Sequence, residues 1–199
     1  MDVEEHDDVD ALLERLRTLP AANVGDAMQR LSAVDSGIRS VWSGARLVAP
    51  AFTILTRSGD NLAIHEALAL AQPGDVVVVN GFGDVTRALV GELLAGRALA
   101  RGLAGFVIDG AVRDVAAIKE LGLPVFARAV TPAGPYKMGP FRHQVPIALG
   151  GQCVLPGDIV VGDDDGVVVI ARSQLGTVVA GAEEIRDVET GKRRAISRS

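Results

Sequence analysis

The sequence is short of cysteine and of aromatic residues. Cys153 is the only cysteine among 199 residues, which excludes an intrachain disulfide and argues against a cysteine-based metal site. The residues around it, 152–155, have the pattern of a short strand, so we expect a buried and unreactive thiol. Because aromatic residues make up only 4% of the chain, the core has to be built from valine, isoleucine, leucine and alanine.

Positive charge is also scarce. The formal net charge is −5, so no nucleic-acid partner is expected. We interpret the basic run 192–194 as a solvated tail rather than a phosphate-binding arm. The first ten residues lack the basic-then-apolar pattern of a signal peptide, and no apolar run is long enough to cross a bilayer. These absences predict no membrane partner and a cytoplasmic location.

The remaining composition is typical of one globular domain. Apolar residues make up 48% of the chain and charged residues 23%. We therefore predict a single domain over residues 1–199, with its core over 20–172, a C-terminal helix over 173–189 and disordered ends.

The predicted elements begin with helices near the N-terminus. Residues 1–8 are predicted to be disordered, and leucines at helical spacing predict a helix over 9–19. Asn23 is placed to cap a second short helix over 24–31.

Strands and helices alternate in the middle of the chain. The apolar runs 76–79 and 105–108 are typical of strands buried on both faces. A helix is predicted over 84–101, with Asp84 as its N-cap, and another is predicted over 114–121. An Asp-Gly pair just after the second strand predicts a turn. Short strands separated by turns follow Thr131 and predict a β meander, so the fold class is α/β.

The segment 105–114, GFVIDGAVRD, is the main candidate for chemistry. A buried strand ends here, and Arg113 and Asp114 stand at the start of the next helix, where binding residues are often located. The guanidinium of Arg113 matches a carboxylate, and the carboxylate of Asp114 suits a hard cation such as Mg²⁺. Together they predict a site for a small 2-oxo acid. The alternative is a surface ion pair that caps a helix.

A second candidate consists of Gly91, Glu92, Leu93 and Leu94. If a helix starts at this point, its free backbone N–H groups can bind an anion. The alternative is a plain helix interior, in which Gly91 permits close packing.

Other acidic and histidine residues are less informative. The three aspartates at 163–165 precede a glycine and an apolar run, which favours a hairpin turn over a metal site. His65, on a predicted helix, and His143, in a loop rich in proline and glycine, are interpreted as structural. Asp60 is a minor candidate.

Several short motifs occur in this chain in the order seen in one family. The sequence resembles the RraA-like family, which includes 4-hydroxy-4-methyl-2-oxoglutarate aldolases that also decarboxylate oxaloacetate. The resemblance covers about residues 20–172. The motifs that carry it are GDN at 59–61, PGD at 73–75, GELL at 91–94, ARG at 100–102, the segment 105–114, LGLPVFAR at 121–128, and 156–166 with PGD at its start.

This resemblance implies a fold and an assembly. The fold is a layered β/β/α domain of swivelling type. The assembly is a homotrimer or a hexamer made of two trimers, with sites in clefts between neighbouring subunits.

The resemblance also implies roles for particular residues. Arg113 contacts the substrate, Asp114 binds the divalent cation, Mg²⁺ or Mn²⁺, and the backbone of 91–94 holds the pyruvyl carboxylate. The implied reaction is retro-aldol cleavage that gives pyruvate through its enolate. Oxaloacetate is decarboxylated through the same enolate.

The chain departs from the family pattern at Ala117. The aldolases carry an acid at this position, three residues after the metal-binding aspartate, and its loss is expected to weaken metal affinity or activity. Asp109 and Glu120 are the nearest acids in sequence, and Asn80 is a milder departure. The departure at Ala117 leaves open a non-catalytic regulator that binds ribonuclease E, or an altered pocket for another hydroxy-keto acid.

Overall fold

The structure, a computed structural model, describes the backbone of residues 3–197 and the side chains of residues 9–197. It contains six α-helices, α1 to α6, in this order: Val3–Leu16, Ala21–Ala27, Leu62–Leu70, Glu92–Ala100, Val115–Leu121 and Leu175–Ile196. Ten strands, β1 to β10, are Arg39–Ser40, Leu47–Thr56, Val76–Val90, Gly105–Val112, Val125–Val130, Phe141–His143, Ile147–Leu149, Gln152–Val154, Ile159–Asp163 and Gly166–Ile170. A short 3₁₀ turn, Arg172–Gln174, precedes α6.

The main sheet has the strand order β1-β5-β4-β3-β2-β9-β10, and β6 also pairs with β2. Strands β2 to β5 are parallel, because the connections between them pass through α3, α4 and α5. Strand β2 pairs with a different neighbour along each half of its length. Its first half pairs antiparallel with β9, and its second half pairs parallel with β3.

Three apolar clusters lie between the layers. One fills the space between α3–α5 and the parallel strands, and a second lies between those strands and the β7–β10 hairpins. The third covers the outer face of β9 and β10 with α1, α2 and α6. The α/β class predicted from the sequence is confirmed, with the terminal helices as an additional layer.

The predicted helix over 84–101 is wrong in its first half. Strand β3 continues to Val90, and α4 begins only at Glu92. The turn-like residues before Asp84 are an irregularity within the strand, since Phe82 and Gly83 have φ of 60° and 68° and pairing with β4 resumes beyond them. The turn predicted at Asp-Gly after residue 108 is also wrong, because both residues lie within β4.

Several smaller predictions also differ. Helix α2 starts at Ala21 with Pro20 as its N-cap, so Asn23 does not cap it. The Nδ2 group of Asn23 instead donates to Oε2 of Glu189 on α6, 3.1 Å away. Cys153 lies on the predicted short strand but is exposed rather than buried.

The terminal helices are longer than predicted. Helix α1 begins at Val3, within the segment 1–8 that was expected to be disordered, and α6 runs past 189 to Ile196. The two helices contact each other through an ion pair between Arg15 and Glu183, with 2.6 Å between Nη2 and Oε2. Residues 1–2 and 198–199 of the predicted disordered ends lie outside the described residues. None of the helices described is long and apolar enough to cross a membrane.

Candidate functional site

The candidate residues meet where two parallel strands end. Strand β3 ends at Val90 and leads through Gly91 into α4, while β4 ends at Val112 and leads through Arg113 and Asp114 into α5. Val90 and Val112 are register partners, and the amide of Arg113 donates to the Val90 carbonyl at 2.9 Å. The sheet therefore brings together two segments that are about twenty residues apart in sequence.

Arg113 and Asp114 form an open ion pair. Their Nε and Oδ2 atoms are 3.4 Å apart, and each side chain is 42% exposed. Asp114 has a left-handed backbone, with φ of 58°, and its Oδ2 accepts the Glu92 amide at 3.2 Å. Within residues 9–197, no hydrogen bond reaches Oδ1 of Asp114 or either Nη group of Arg113. Both side chains therefore keep polar atoms for a ligand.

Gly91 allows this pair to approach the start of α4. A Cβ atom on Gly91 would lie 2.5 Å from Oδ2 of Asp114 and 3.0 Å from Nε of Arg113. Because α4 begins at Glu92, the amides of Leu93 and Leu94 belong to its first turn and have no carbonyl partner within the helix. This geometry meets the condition for anion binding at a helix start and rules out the helix-interior interpretation.

The pair lines a cleft of about 110 Å³ together with the start of α3 and a loop over 131–140. The residues contributed by these two segments are Asn61, His65, Pro135 and Lys137. Of these, His65 is interpreted as structural from the sequence, and Asn61 is part of the GDN motif at 59–61 but has no role assigned there.

Asp60 holds the loop against α3. Its carboxylate is fully buried, its Oδ1 accepts the Leu62 amide at 3.0 Å, and its Oδ2 accepts the amides of Met138 and Gly139 at 2.6 and 3.0 Å. Asn61 adds a backbone bond from its amide to the Tyr136 carbonyl at 3.0 Å. Asp60 therefore has a structural role that positions one wall of the cleft.

Asn61 and His65 each have a buried polar atom without a partner. The Nδ2 group of Asn61 donates to the Leu89 carbonyl at 2.9 Å, while its Oδ1 has no hydrogen bond in the described part of the chain. Nδ1 of His65 lies 3.3 Å from Nη1 of Arg97, and the buried Nε2 of His65 has no partner there either. Burial lowers the pKa of His65, and the charges of Lys137 and Arg97 lower it further, so the neutral ring is favoured.

His143 is structural, as predicted. Its Nε2 lies 3.0 Å from the Ala63 carbonyl, and its ring is tilted against Phe141 and Phe52, with centroid distances of 4.9 and 5.9 Å.

The aspartates at 163–165 form the predicted hairpin turn between β9 and β10. The two oxygens of Asp163 accept the amides of Asp165 and Ala21 at 3.0 and 2.8 Å, and Asp164 accepts the Gly44 amide at 2.8 Å. Backbone amides therefore already occupy the carboxylate oxygens of Asp163 and Asp164.

The open pair can hold a divalent cation only through few protein ligands. No group of three or more His, Cys, Asp or Glu side chains able to hold a metal occurs within the described residues. Asp114 offers one carboxylate with a free oxygen, which suits Mg²⁺ because this ion keeps several water ligands and takes only one or two protein carboxylates. The donor set thus fits a hard cation that is completed by water and substrate.

The acids nearest to Ala117 in sequence do not replace the missing one. Asp109 is hydrogen-bonded to Arg128 and to the Gly150 amide, and Glu120 is exposed on α5. The acid that the fold brings to Asp114 is Glu92, whose backbone contacts it.

A larger depression of about 610 Å³ lies beside α2, β8 and α6. Its one acidic residue, Asp158, is buried, and its two oxygens accept the amides of Leu155 and Arg172 at 2.8 and 3.2 Å. Both carboxylate oxygens of Asp158 are therefore already engaged by backbone amides.

Comparisons with known proteins agree with the resemblance. A family model described as RraA-like, Aldolase/RraA, matches residues 21–169. The chain is 41% identical over 185 residues to a protein of Halalkalibacterium halodurans that carries the name "Putative 4-hydroxy-4-methyl-2-oxoglutarate aldolase", and the match covers 93% of this chain and 88% of that protein.

Two solved structures share the fold. An uncharacterized protein from Pseudomonas syringae has a TM-score of 0.88 and 28% identity, covering 96% of this chain and 90% of its own. RraAS2 of Streptomyces coelicolor, described as an unusual member of the RNase ES inhibitor RraA protein family, has a TM-score of 0.81 and 29% identity, covering 93% and 98%. The chain therefore belongs to the RraA-like family.

Proposed function

We propose that the protein is a divalent-metal-dependent lyase that acts on small 2-oxo acids. It cleaves 4-hydroxy-4-methyl-2-oxoglutarate to pyruvate and decarboxylates oxaloacetate. The observation that carries the proposal is the open Arg113–Asp114 pair beside the unpaired amides of Leu93 and Leu94. The name of the Halalkalibacterium halodurans relative supports the same reaction.

Each residue has a defined task in this reaction. The first turn of α4, with the amides of Leu93 and Leu94, binds the carboxylate of the 2-oxo acid. Asp114 would hold the cation, Mg²⁺ or Mn²⁺, which would supply a Lewis acid for the keto oxygen. Arg113 places its free donors where negative charge develops on the enolate.

The two reactions share one product-forming step. In cleavage, a base takes the C4 hydroxyl proton and the C3–C4 bond breaks. C4 becomes the keto carbon of one pyruvate, and the electron pair of the broken bond forms the enolate of the other. In decarboxylation, carbon dioxide leaves and the same enolate forms. A proton then adds to C3 and gives pyruvate in both cases.

The test measures pyruvate release from both substrates by the purified protein, with Mg²⁺ or Mn²⁺ and with a chelator. We expect turnover above the rate of the metal alone, with loss of about 100-fold or more in Asp114→Ala, because the carboxylate that holds the cation is removed. Asp187→Ala, which removes an exposed aspartate on α6, is the matched control. Turnover equal to metal alone, or an Asp114→Ala variant as active as the control, would contradict the proposal.

A second candidate function is regulation of RNA degradation by binding ribonuclease E or a related protein. The description of the Streptomyces coelicolor relative as a member of an RNase ES inhibitor family favours it, as does the absence of an acid at Ala117. A direct binding measurement with purified ribonuclease E tests it, and an Asp114→Ala variant that binds as well as the parent protein would separate this function from the lyase.

A homotrimer or hexamer remains a prediction from the resemblance, as do the cytoplasmic location and the absence of a nucleic-acid partner. The open side of the cleft, where Arg113 and Asp114 are both 42% exposed, suits completion of the site by a neighbouring subunit.

A further inference from the structure

Two of the orphaned polar atoms in this protein belong to one cleft. Among the described residues, three buried side-chain atoms lack a hydrogen-bond partner: Oγ of Ser32, Oδ1 of Asn61 and Nε2 of His65. Buried polar atoms nearly always have partners, so each exception requires an explanation. Asn61 and His65 both line the cleft that holds the Arg113–Asp114 pair.

The two residues are neighbours on α3. Asn61 is the N-cap of this nine-residue helix, and His65 follows four positions later. Residues with this spacing lie one above the other on a helix face, about 5–6 Å apart at Cβ. Asn61 is only 4% exposed, so leaving its oxygen unsatisfied is costly unless a bound group satisfies it.

The hydrogen-bond partners of Asn61 and His65 show which orphaned atom is a donor and which is an acceptor. Nδ2 of Asn61 donates to the Leu89 carbonyl, so the orphaned atom of Asn61 is the acceptor oxygen. A guanidinium can only donate, so Nδ1 of His65 accepts from Arg97 and the proton of the neutral ring is on Nε2. The lining of the cleft therefore includes one residue with an unpaired acceptor and, four positions later on α3, one residue with an unpaired donor.

A hydroxyl group is the chemical match for this pair, because it donates one hydrogen bond and accepts another. A carboxylate or a ketone oxygen accepts only, so it would leave the oxygen of Asn61 facing another acceptor. A substrate that carries both a 2-oxo acid end and a hydroxyl can therefore use the amides of α4 for one end and α3 for the other.

We propose that Asn61 and His65 bind the hydroxyl group of a 4-hydroxy-2-oxo acid and thereby select hydroxylated substrates at this site. This inference rests on the proposed lyase function. It assigns to Asn61 and His65 a role in specificity, distinct from the tasks of Arg113 and Asp114. Oxaloacetate lacks this hydroxyl, so its decarboxylation does not use the pair.

The first experiment compares the two reactions in matched variants. In His65→Phe and Asn61→Leu we expect kcat/KM for 4-hydroxy-4-methyl-2-oxoglutarate to fall about tenfold or more, which corresponds to one lost hydrogen bond to a buried group. Decarboxylation of oxaloacetate should change less than about threefold. His65→Gln keeps a donor and should recover most of the cleavage, while Glu66→Gln, at an exposed position on the same helix, should change neither reaction.

Equal losses in both reactions would overturn the inference, because they would indicate that the pair only supports the fold or holds a structural water. A selective loss that His65→Gln fails to recover would contradict the donor role of His65.

The second experiment needs no turnover. Calorimetric titration in the presence of a chelator gives the affinities for 4-hydroxy-2-oxoglutarate and for 2-oxoglutarate, which differ only by the hydroxyl. We expect the hydroxylated acid to bind about tenfold more tightly, with this preference lost in His65→Phe and Asn61→Leu. If the protein turns over neither substrate but keeps this preference, the proposed lyase fails while the inference stands. Equal affinities, or a preference that survives both variants, overturn the inference.

Discussion

Two arginine–aspartate pairs lie on or just after neighbouring strands, and they differ in distance, exposure and hydrogen bonding. Arg113 and Asp114 are 3.4 Å apart and 42% exposed. Arg128 on β5 donates from Nε to Asp109 on β4, and these side chains are only 24% and 11% exposed. The first pair is open and the second is closed.

In the closed pair, both carboxylate oxygens of Asp109 and two of the three guanidinium nitrogens of Arg128 have hydrogen-bond partners. Oδ2 of Asp109 accepts the Gly150 amide at 3.1 Å, and Nη1 of Arg128 donates to Asp35 at 3.2 Å. The hydrogen bond to Asp109 is the main cause that raises the pKa of Arg128. The Gly37 amide and then Arg128 lower the pKa of Asp35. Among the described residues, the open pair leaves one carboxylate oxygen and two guanidinium nitrogens without partners, whereas the closed pair leaves one guanidinium nitrogen.

The largest expected difference between the pairs is in stability. Asp109→Ala leaves Arg128 half-buried without its main partner and removes the acceptor of the Gly150 amide, so the free energy of unfolding should fall by about 3 kcal/mol. Arg113→Ala removes an exposed, weakly paired side chain and should change it by less than about 0.5 kcal/mol. Urea denaturation of both variants measures the contrast, and equal changes would show that the two pairs do not differ in this way.

The next largest expected effect is a loss of activity when the open pair is displaced from the start of α4. Gly91→Ala places a Cβ atom 2.5 Å from Oδ2 of Asp114, so the carboxylate and the guanidinium have to move. The backbone of Gly91 is extended, with φ of −141°, so alanine causes no backbone strain and the effect should fall on the pair. We expect at least about a tenfold loss of both lyase reactions, comparable to the loss of one positioned hydrogen bond.

Gly96→Ala is the control for this substitution. It lies on the same helix, where a Cβ atom would meet only Leu121 Cδ1 at 4.0 Å, within ordinary contact distance. Alanine is favoured over glycine in a helix by about 0.8–1.0 kcal/mol, so this variant should be fully active and slightly more stable. A Gly91→Ala variant as active as Gly96→Ala would mean that the pair does not depend on its distance from α4.

The open pair could be predicted from the sequence because its signals are local. Arg113 and Asp114 follow a buried strand and precede a helix within one ten-residue segment. The start of α4 could not be placed, because the leucines at 89, 93 and 94 have helical spacing and Asp84 resembles a cap. Only the pairing of β3 with β4 past Phe82 shows that the chain is still a strand there.

The side of the cleft formed by the start of α3 and the loop over 131–140 could not be predicted, because it depends on contacts between segments that are distant in sequence. Asp60 reaches the amides of Met138 and Gly139, which are almost eighty residues away. His65 appears as one histidine on an apolar helix, and only its contact with Arg97 shows which ring nitrogen carries the proton. The available signals were the four-residue spacing between Asn61 and His65 and the GDN motif at 59–61.

The smallest expected effect is the contribution of His65, in the open site, to the dependence of stability on pH. Burial, Lys137 and Arg97 lower the pKa of His65 in the folded protein below its ordinary value of 6.5. As pH falls through 6.5, the unfolded chain takes up a proton at this residue before the folded protein does, so the free energy of unfolding decreases and levels off below the folded pKa. Asp35, which accepts a hydrogen bond from Arg128 of the closed pair, contributes nothing in this window, since its pKa is lowered from 3.8 and its contribution is lost only in stronger acid.

Urea denaturation between pH 7.5 and about pH 5.5, chosen to bracket the ordinary histidine range, measures this slope in the parent protein and in His65→Gln. We expect the decrease to be smaller in His65→Gln, because glutamine does not titrate, and unchanged in Glu66→Gln, which removes an exposed carboxylate one position along α3. If the slopes of the parent and His65→Gln coincide, His65 is solvated well enough to keep its ordinary pKa. Its Nε2 would then have water as a partner, and the open and closed pairs would differ mainly in the exposure of their arginine side chains.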